Sequence, residues 1–241
     1  MGGVEKVVKK VAIIQSNYIP WKGYFDIINM VDEFVLLDDV QYTRRDWRNR
    51  NRIKTPQGLK WLTIPVSVKG KFNIKIKDVM IADSSWNKKH WETIKTFYSR
   101  AKYFKYYKEF FEELYLNCKE KYLSEINYKF ITSINKLLGI DTRIRFSTEF
   151  CLQEGKNERL ISICKQCGAD VYVSGPAAKV YLDEDLFLRE GIKVEWMDYS
   201  GYPEYEQLYP PFEHKVSIID LILNVGPCAP KYMKSFGRKI K

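Results

Sequence analysis

Residues 11–15, VAIIQ, form a largely β-branched run that is apolar up to Gln15 and stops at the polar SNYIP, and few folds admit such a segment. A strand without alternation is one covered on both faces. After Gly23, the residues Tyr24, Phe25, Ile27, Ile28 and Val31 recur at helical spacing, and EFVLLDDV (33–40) supplies a second run of the same kind. A β-loop-α-β unit predicts parallel strands, because a parallel partner has to be reached by a crossover.

The rhythm then breaks and returns. QYTRRDWRNRNRIK (41–54) is polar apart from a tryptophan and an isoleucine, TPQG turns, and WLTIPVSV alternates like a strand. KGKFNIKIKDVMI (69–81) sets Phe72, Ile74 and Ile76 against lysines, the pattern of a half-exposed antiparallel strand. From Ser84 the period becomes helical, through Trp86, His90, Ile94, Phe104, Phe111, Ile126, Phe130 and Ile134 to a stop at Gly139. TRIRFST (142–148), VYVSG (171–175) and IKVEWMDY (192–199) read as strands, with helices at 157–169 and 217–226. The expectation is one α/β domain over 1–241. It is Rossmann-like, with a mixed, mainly parallel sheet flanked by helices and a helical insertion at about 84–138.

Forty basic against thirty acidic side chains leave a net charge of +10, which favours anionic partners. No apolar run approaches the roughly 20 residues that span a bilayer, and the N-terminal run is too short for a signal peptide, so a cytoplasmic location without a transmembrane segment is expected. Cys164 and Cys167 have redox or zinc spacing, but they fall inside a predicted helix without a second pair, so they read as structural and no metal site is expected.

Three stretches carry candidate chemistry. Gln15, Asn17, Tyr18, Trp21, Lys22, Gly23 and Tyr24 follow the first strand into a helix, where backbone N–H groups, a lysine and aromatic faces suit a nucleotide; a capping loop with anchoring aromatics is the equal alternative. Asp38 and Asp39 end the second strand and point to opposite faces unless the strand has already stopped, so which one serves a site is open. Behind them comes a block of Arg44, Arg45, Arg48, Arg50, Arg52 and Lys54, interleaved with Trp47, Asn49 and Asn51, which reads as a phosphate clamp. His90, beside Lys88 and Lys89 near a helix start, is a candidate neutral base, and a structural histidine on the same pattern. The turn at Ser174 and Gly175, leading to Tyr181, is a second phosphate-friendly turn that lacks a Walker lysine or a dinucleotide fingerprint.

IQSNYIPWKGYFDII, VLLDDVQYTRRDWRNRNRIK, WLTIPV, SWNKKHWETI, ERLISICKQCGADVYVSGPAAKVYLDEDLF and SIIDLILNVG together resemble the WbqC-like protein family, from Val11 to about Gly226. Ser16 departs from the family's usual Gln-Pro opening. The resemblance implies a cytoplasmic step in O-antigen or other surface-polysaccharide synthesis. Combined with the basic charge, it leads to the expectation of a transferase that moves an acyl or aminoacyl group onto a nucleotide-linked amino sugar. The arginine block, Arg45, Arg48 and Arg50 included, would hold the pyrophosphate, with Trp21 or Trp47 stacking on the base. His90 or Asp39 would take the proton. No tightly bound cofactor is expected. The partners are a nucleoside-diphosphate sugar and an acyl-CoA or aminoacyl-tRNA donor, but not DNA. The alternatives are a nucleotidyl or adenylyl transferase, although Trp21 and Tyr24 stand where that chemistry uses histidines, and a non-catalytic RNA- or polysaccharide-binding module.

Overall fold

The computed structural model describes residues 7–238. Its strands are β1 (Lys10–Ile14), β2 (Glu33–Leu36), β3 (Arg50–Thr55), β4 (Gly58–Thr63), β5 (Arg143–Phe146), β6 (Val171–Ser174) and β7 (Lys193–Trp196). Its α-helices are α1 (Lys22–Asn29), α2 (Trp86–Tyr98), α3 (Phe104–Leu116), α4 (Leu123–Leu138), α5 (Lys156–Gln166), α6 (Glu184–Arg189) and α7 (Ile218–Val225). Among the described residues, no helix is long and apolar enough to cross a membrane.

Two compact units divide these elements: 7–14, 27–37 and 142–200 form one, and 15–26, 38–141 and 201–238 form the other. The first holds a five-stranded sheet in the order β5-β2-β1-β6-β7, with every pairing parallel. Counted within the sheet, this is 3-2-1-4-5, the Rossmann-like order that reverses direction beside the first strand. Val11, Ile13, Val35 and Tyr172 of the sheet pack with Leu160, Ile163, Cys164 and Cys167 of the α5 region and with Phe187 of α6. Burial pushes the Cys167 thiol up to about 11 and Cys164 higher still, so both are inert apolar filling.

The second unit holds α2, α3 and α4, which make up the expected helical stretch. Their aromatics form its core: Tyr115 meets Phe130 edge-on at 4.9 Å, and Trp91 stacks between Phe104 and Tyr115. Gly139 ends α4 in a left-handed conformation, φ 72°, with its N–H on the Asn135 and Lys136 carbonyls.

Two expectations are corrected. The sheet is not mixed, because the antiparallel pair β3–β4 stands apart as a sheet of its own. Residues 69–81 form no strand there: Phe72 is 79% exposed, Ile76 is buried in a 3-10 turn, and only isolated bridges such as Gln41 to Lys75 pair the backbone. Two buried side chains, Ile76 and Val79, give an edge strand too little apolar surface to hold it.

Candidate functional site: a loop bolted to an arginine–tryptophan hairpin

The loop after β1 is fixed to the start of the hairpin by a dense set of bonds. Tyr18 N–H donates to the Trp47 carbonyl at 3.1 Å, and Asn51 Nδ2 donates to the carbonyls of Tyr18 and Ile19 at 3.2 and 3.0 Å. Arg48, buried, spends Nη1 on the Gln15 and Ser16 carbonyls and on Asn17 Oδ1, while its Nη2 lies 3.6 Å from Asp46. Two non-glycine residues among those described have left-handed backbone, Ile19 (φ 37°) and Arg45 (φ 58°), and both belong to this neighbourhood. Such strain persists only where the surroundings over-determine it, and it concentrates at functional sites.

Strand periodicity sorts the basic block. Asn49 and Asn51 face inward, Asn49 Nδ2 donating to the Ile64 carbonyl at 2.8 Å, whereas Arg50 and Arg52 face outward. Across the ladder, Thr63 pairs with Arg50 and Trp61 with Arg52. The Arg50 guanidinium lies 4.1 Å from the Trp61 ring centroid, and that of Arg52 lies 5.4 Å from Trp61 and 5.5 Å from Trp47. The two indoles are 5.4 Å apart and remain 38% and 41% exposed. Among the described residues no carboxylate pairs with Arg45, Arg50 or Arg52; the Nε atoms of Arg50 and Arg52 are themselves buried and have no acceptor. Arg50 does donate to the Arg45 carbonyl. Two cations and two indoles therefore share one outward face, suited to phosphate and to a planar base.

The arginine clamp is thus narrower than the sequence implied. Arg48, Asn49 and Asn51 build the loop and are not exposed to a ligand, and Lys54 is buried with Nζ on Gln207 Oε1 and the Pro211 carbonyl. Lys22 is 3% exposed; Nζ donates to the Pro203 carbonyl at 3.0 Å and lies over the rings of Tyr202 and Tyr205, and burial pulls its ammonium down to about 8. Trp21 packs on Tyr202, and Tyr24 OH donates to the Gln15 carbonyl. Gly23 is required, because a Cβ there would collide with the Trp21 ring. The half-buried Gln15 and Asn17 remain at the loop's margin, and Lys88 is exposed on α2.

The two aspartates lie beyond β2, which stops at Leu36. Asp38 is buried and accepts from Ser16 N–H at 2.9 Å and from the Ser124 hydroxyl, and burial raises its carboxyl above the usual range against those bonds. Asp39 is ion-paired to Lys77 at 2.6 Å, with Lys75 at 3.8 Å. Asn127, which no motif announced, joins Ser16 Oγ to the Arg48 carbonyl at 2.9 Å each.

His90 is buried against the Thr63 carbonyl, 3.2 Å from Nε2, and Tyr18 OH, 2.8 Å from Nδ1. A carbonyl only accepts, so Nε2 carries the proton and Nδ1 accepts from Tyr18, which in turn accepts from Tyr115 OH at 2.9 Å. Burial lowers the imidazole to about 4. Burial, rather than the neighbouring lysines, keeps it neutral, and its lone pair is engaged.

Ser174, Gly175 and Tyr181 belong to the sheet unit. Ser174 is buried at the end of β6, a Cβ on Gly175 would meet only ordinary contacts, and Tyr181 is 46% exposed with Lys156 over its ring at 5.4 Å.

Comparison with known proteins agrees with the sequence pattern. The family model of the WbqC-like protein family matches residues 15–232. The uncharacterized protein Rv1507c of Mycobacterium tuberculosis is 50% identical over 227 residues, covering 94% of this chain and 98% of that protein. No solved structure matches. The match spans both the loop after β1 and the hairpin, and on it the chain belongs to the WbqC-like protein family.

Proposed function

We propose that this protein is a transferase that moves an acyl or aminoacyl group onto the amine of a nucleotide-linked amino sugar in surface-polysaccharide synthesis. The observation that carries the reading is the outward face of Arg50, Arg52, Trp47 and Trp61, unneutralised by any carboxylate among the described residues. Acceptor and donor in such a reaction are both base-plus-phosphate molecules, which this face suits. In the transfer, the sugar nitrogen attacks the donor carbonyl carbon. The bond to the thioester sulfur of an acyl-CoA, or to the ribose oxygen of an aminoacyl-tRNA, breaks, and the proton shed by nitrogen passes through a base to the leaving group. Asp39 is preferred as that base. A carboxylate keeps further lone pairs beside its ion pair with Lys77, whereas the single Nδ1 lone pair of His90 is taken by Tyr18; His90 then acts as a positioning residue for Tyr18.

The test is product mass. The purified protein, incubated with UDP- and dTDP-linked amino sugars and either acyl-CoA or aminoacyl-tRNA, should yield an N-acylated sugar nucleotide, and Asp39→Asn should abolish turnover while leaving nucleotide binding in place. No mass change with any acceptor and donor pair would refute the reading.

A further inference from the structure

We infer that the outer face of the β3–β4 hairpin is a docking track for single-stranded RNA, so that the donor in the proposed reaction is carried on RNA. The assignment of a donor rests on the proposed function; the binding itself does not.

The argument is spacing and charge. Arg50 and Arg52 are two residues apart on one strand face, hence about 7 Å apart at their Cα atoms. Successive phosphates of an extended strand are separated by a whole sugar, a repeat of the same order as this spacing. A third cation adjoins this pair: Arg45 at the hairpin entrance, whose carbonyl accepts from Arg50, is exposed, with no carboxylate partner among the described residues. Trp47 and Trp61, 38% and 41% exposed, stand beside the cations and offer the exposed part of their indoles for bases to stack on. Alternating cations and indoles are how proteins hold single strands, since every base has a π-face and every nucleotide a phosphate. A duplex would keep its bases stacked on each other and leave the indoles unused. Thr63, directly across the ladder from Arg50 and exposed, places a hydroxyl on the same face, a donor and acceptor for a ribose 2′-OH.

The experiment is fluorescence anisotropy of the full chain with a labelled RNA dodecamer ending in CCA, beside DNA of the same sequence, an RNA duplex, and the variants Trp61→Ala and Arg50→Gln. Both substituted side chains are on the outer face, and matching denaturation midpoints establish that the variants are folded. The expected result is RNA binding that W61A weakens about tenfold or more. In R50Q, the slope of log affinity against log salt should be shallower by about 0.7, one phosphate contact on a single strand. No binding at low salt, equal binding of DNA or duplex, or variants that bind like the parent would each overturn the inference. Failure here together with N-acylation from acyl-CoA would leave the proposed function standing. RNA binding without any sugar-nucleotide product would do the reverse.

Discussion

Burial holds the His90 imidazole neutral down to about pH 4, and this has a consequence in acid. Between the ordinary histidine value, near 6.5, and about 4, the unfolded chain takes up a proton at this residue that the folded chain refuses. Stability therefore falls as pH drops through that window, by up to about 3 kcal/mol. Asp38 and Asp220, raised by burial, act in the opposite sense, but they are present in parent and variant alike and cancel in the difference. His90→Gln should flatten the dependence between pH 6.5 and 4, read by urea denaturation at a series of pH values; identical slopes for the two proteins would contradict the assignment. Arg48 and Arg50, two positions apart, should also respond differently. Arg48→Gln removes buried charged bonds to three residues of the loop and should cost roughly 2–3 kcal/mol of stability. Arg50→Gln should change stability by no more than about 0.5 kcal/mol while weakening nucleotide binding. Denaturation and titration on the same two variants check both halves.

At the scale of elements, the hairpin organises the site. Asn51 holds the carbonyls on both sides of the strained Ile19, so Asn51→Ala should cost about 2 kcal/mol and speed amide hydrogen exchange across residues 15–20, with the β4 amides little changed. Unaltered exchange in the loop would show that it is held by other means. This element was also the hardest to read in the sequence. RNRNRIK carries a single apolar residue, so nothing in it signals a strand; pairing with GLKWLT imposes the extended conformation, and only then does a period of two separate Arg50 and Arg52 from Asn49 and Asn51. Trp61 is a site residue for the same reason, on the outer phase of its strand. The reverse error occurs at 69–81, where alternation was real but, of Phe72, Ile74 and Ile76 on the face it marked, only Ile76 is buried.

At the scale of the molecule, the parallel sheet was legible because β1, β2 and β6 are buried on both faces and show it as unbroken apolar runs. The helices were legible because their aromatics repeat at helical spacing and are core. The polar networks around Asp38 and Asp220 were not. Ser16, Ser124 and Asn127, or Tyr98, Tyr205 and Gln207, come together from distant parts of the chain with no local signature. The proposed function requires the hairpin face to bind nucleotides. Calorimetric titration of the whole protein with UDP, GDP, dTDP, CMP and coenzyme A, run beside R50Q and W61A, decides it. Saturable binding of at least one nucleotide by the parent, weakened about tenfold or more in each folded variant, is the predicted result. Binding that both variants retain unchanged, or no binding of any nucleotide, would contradict it.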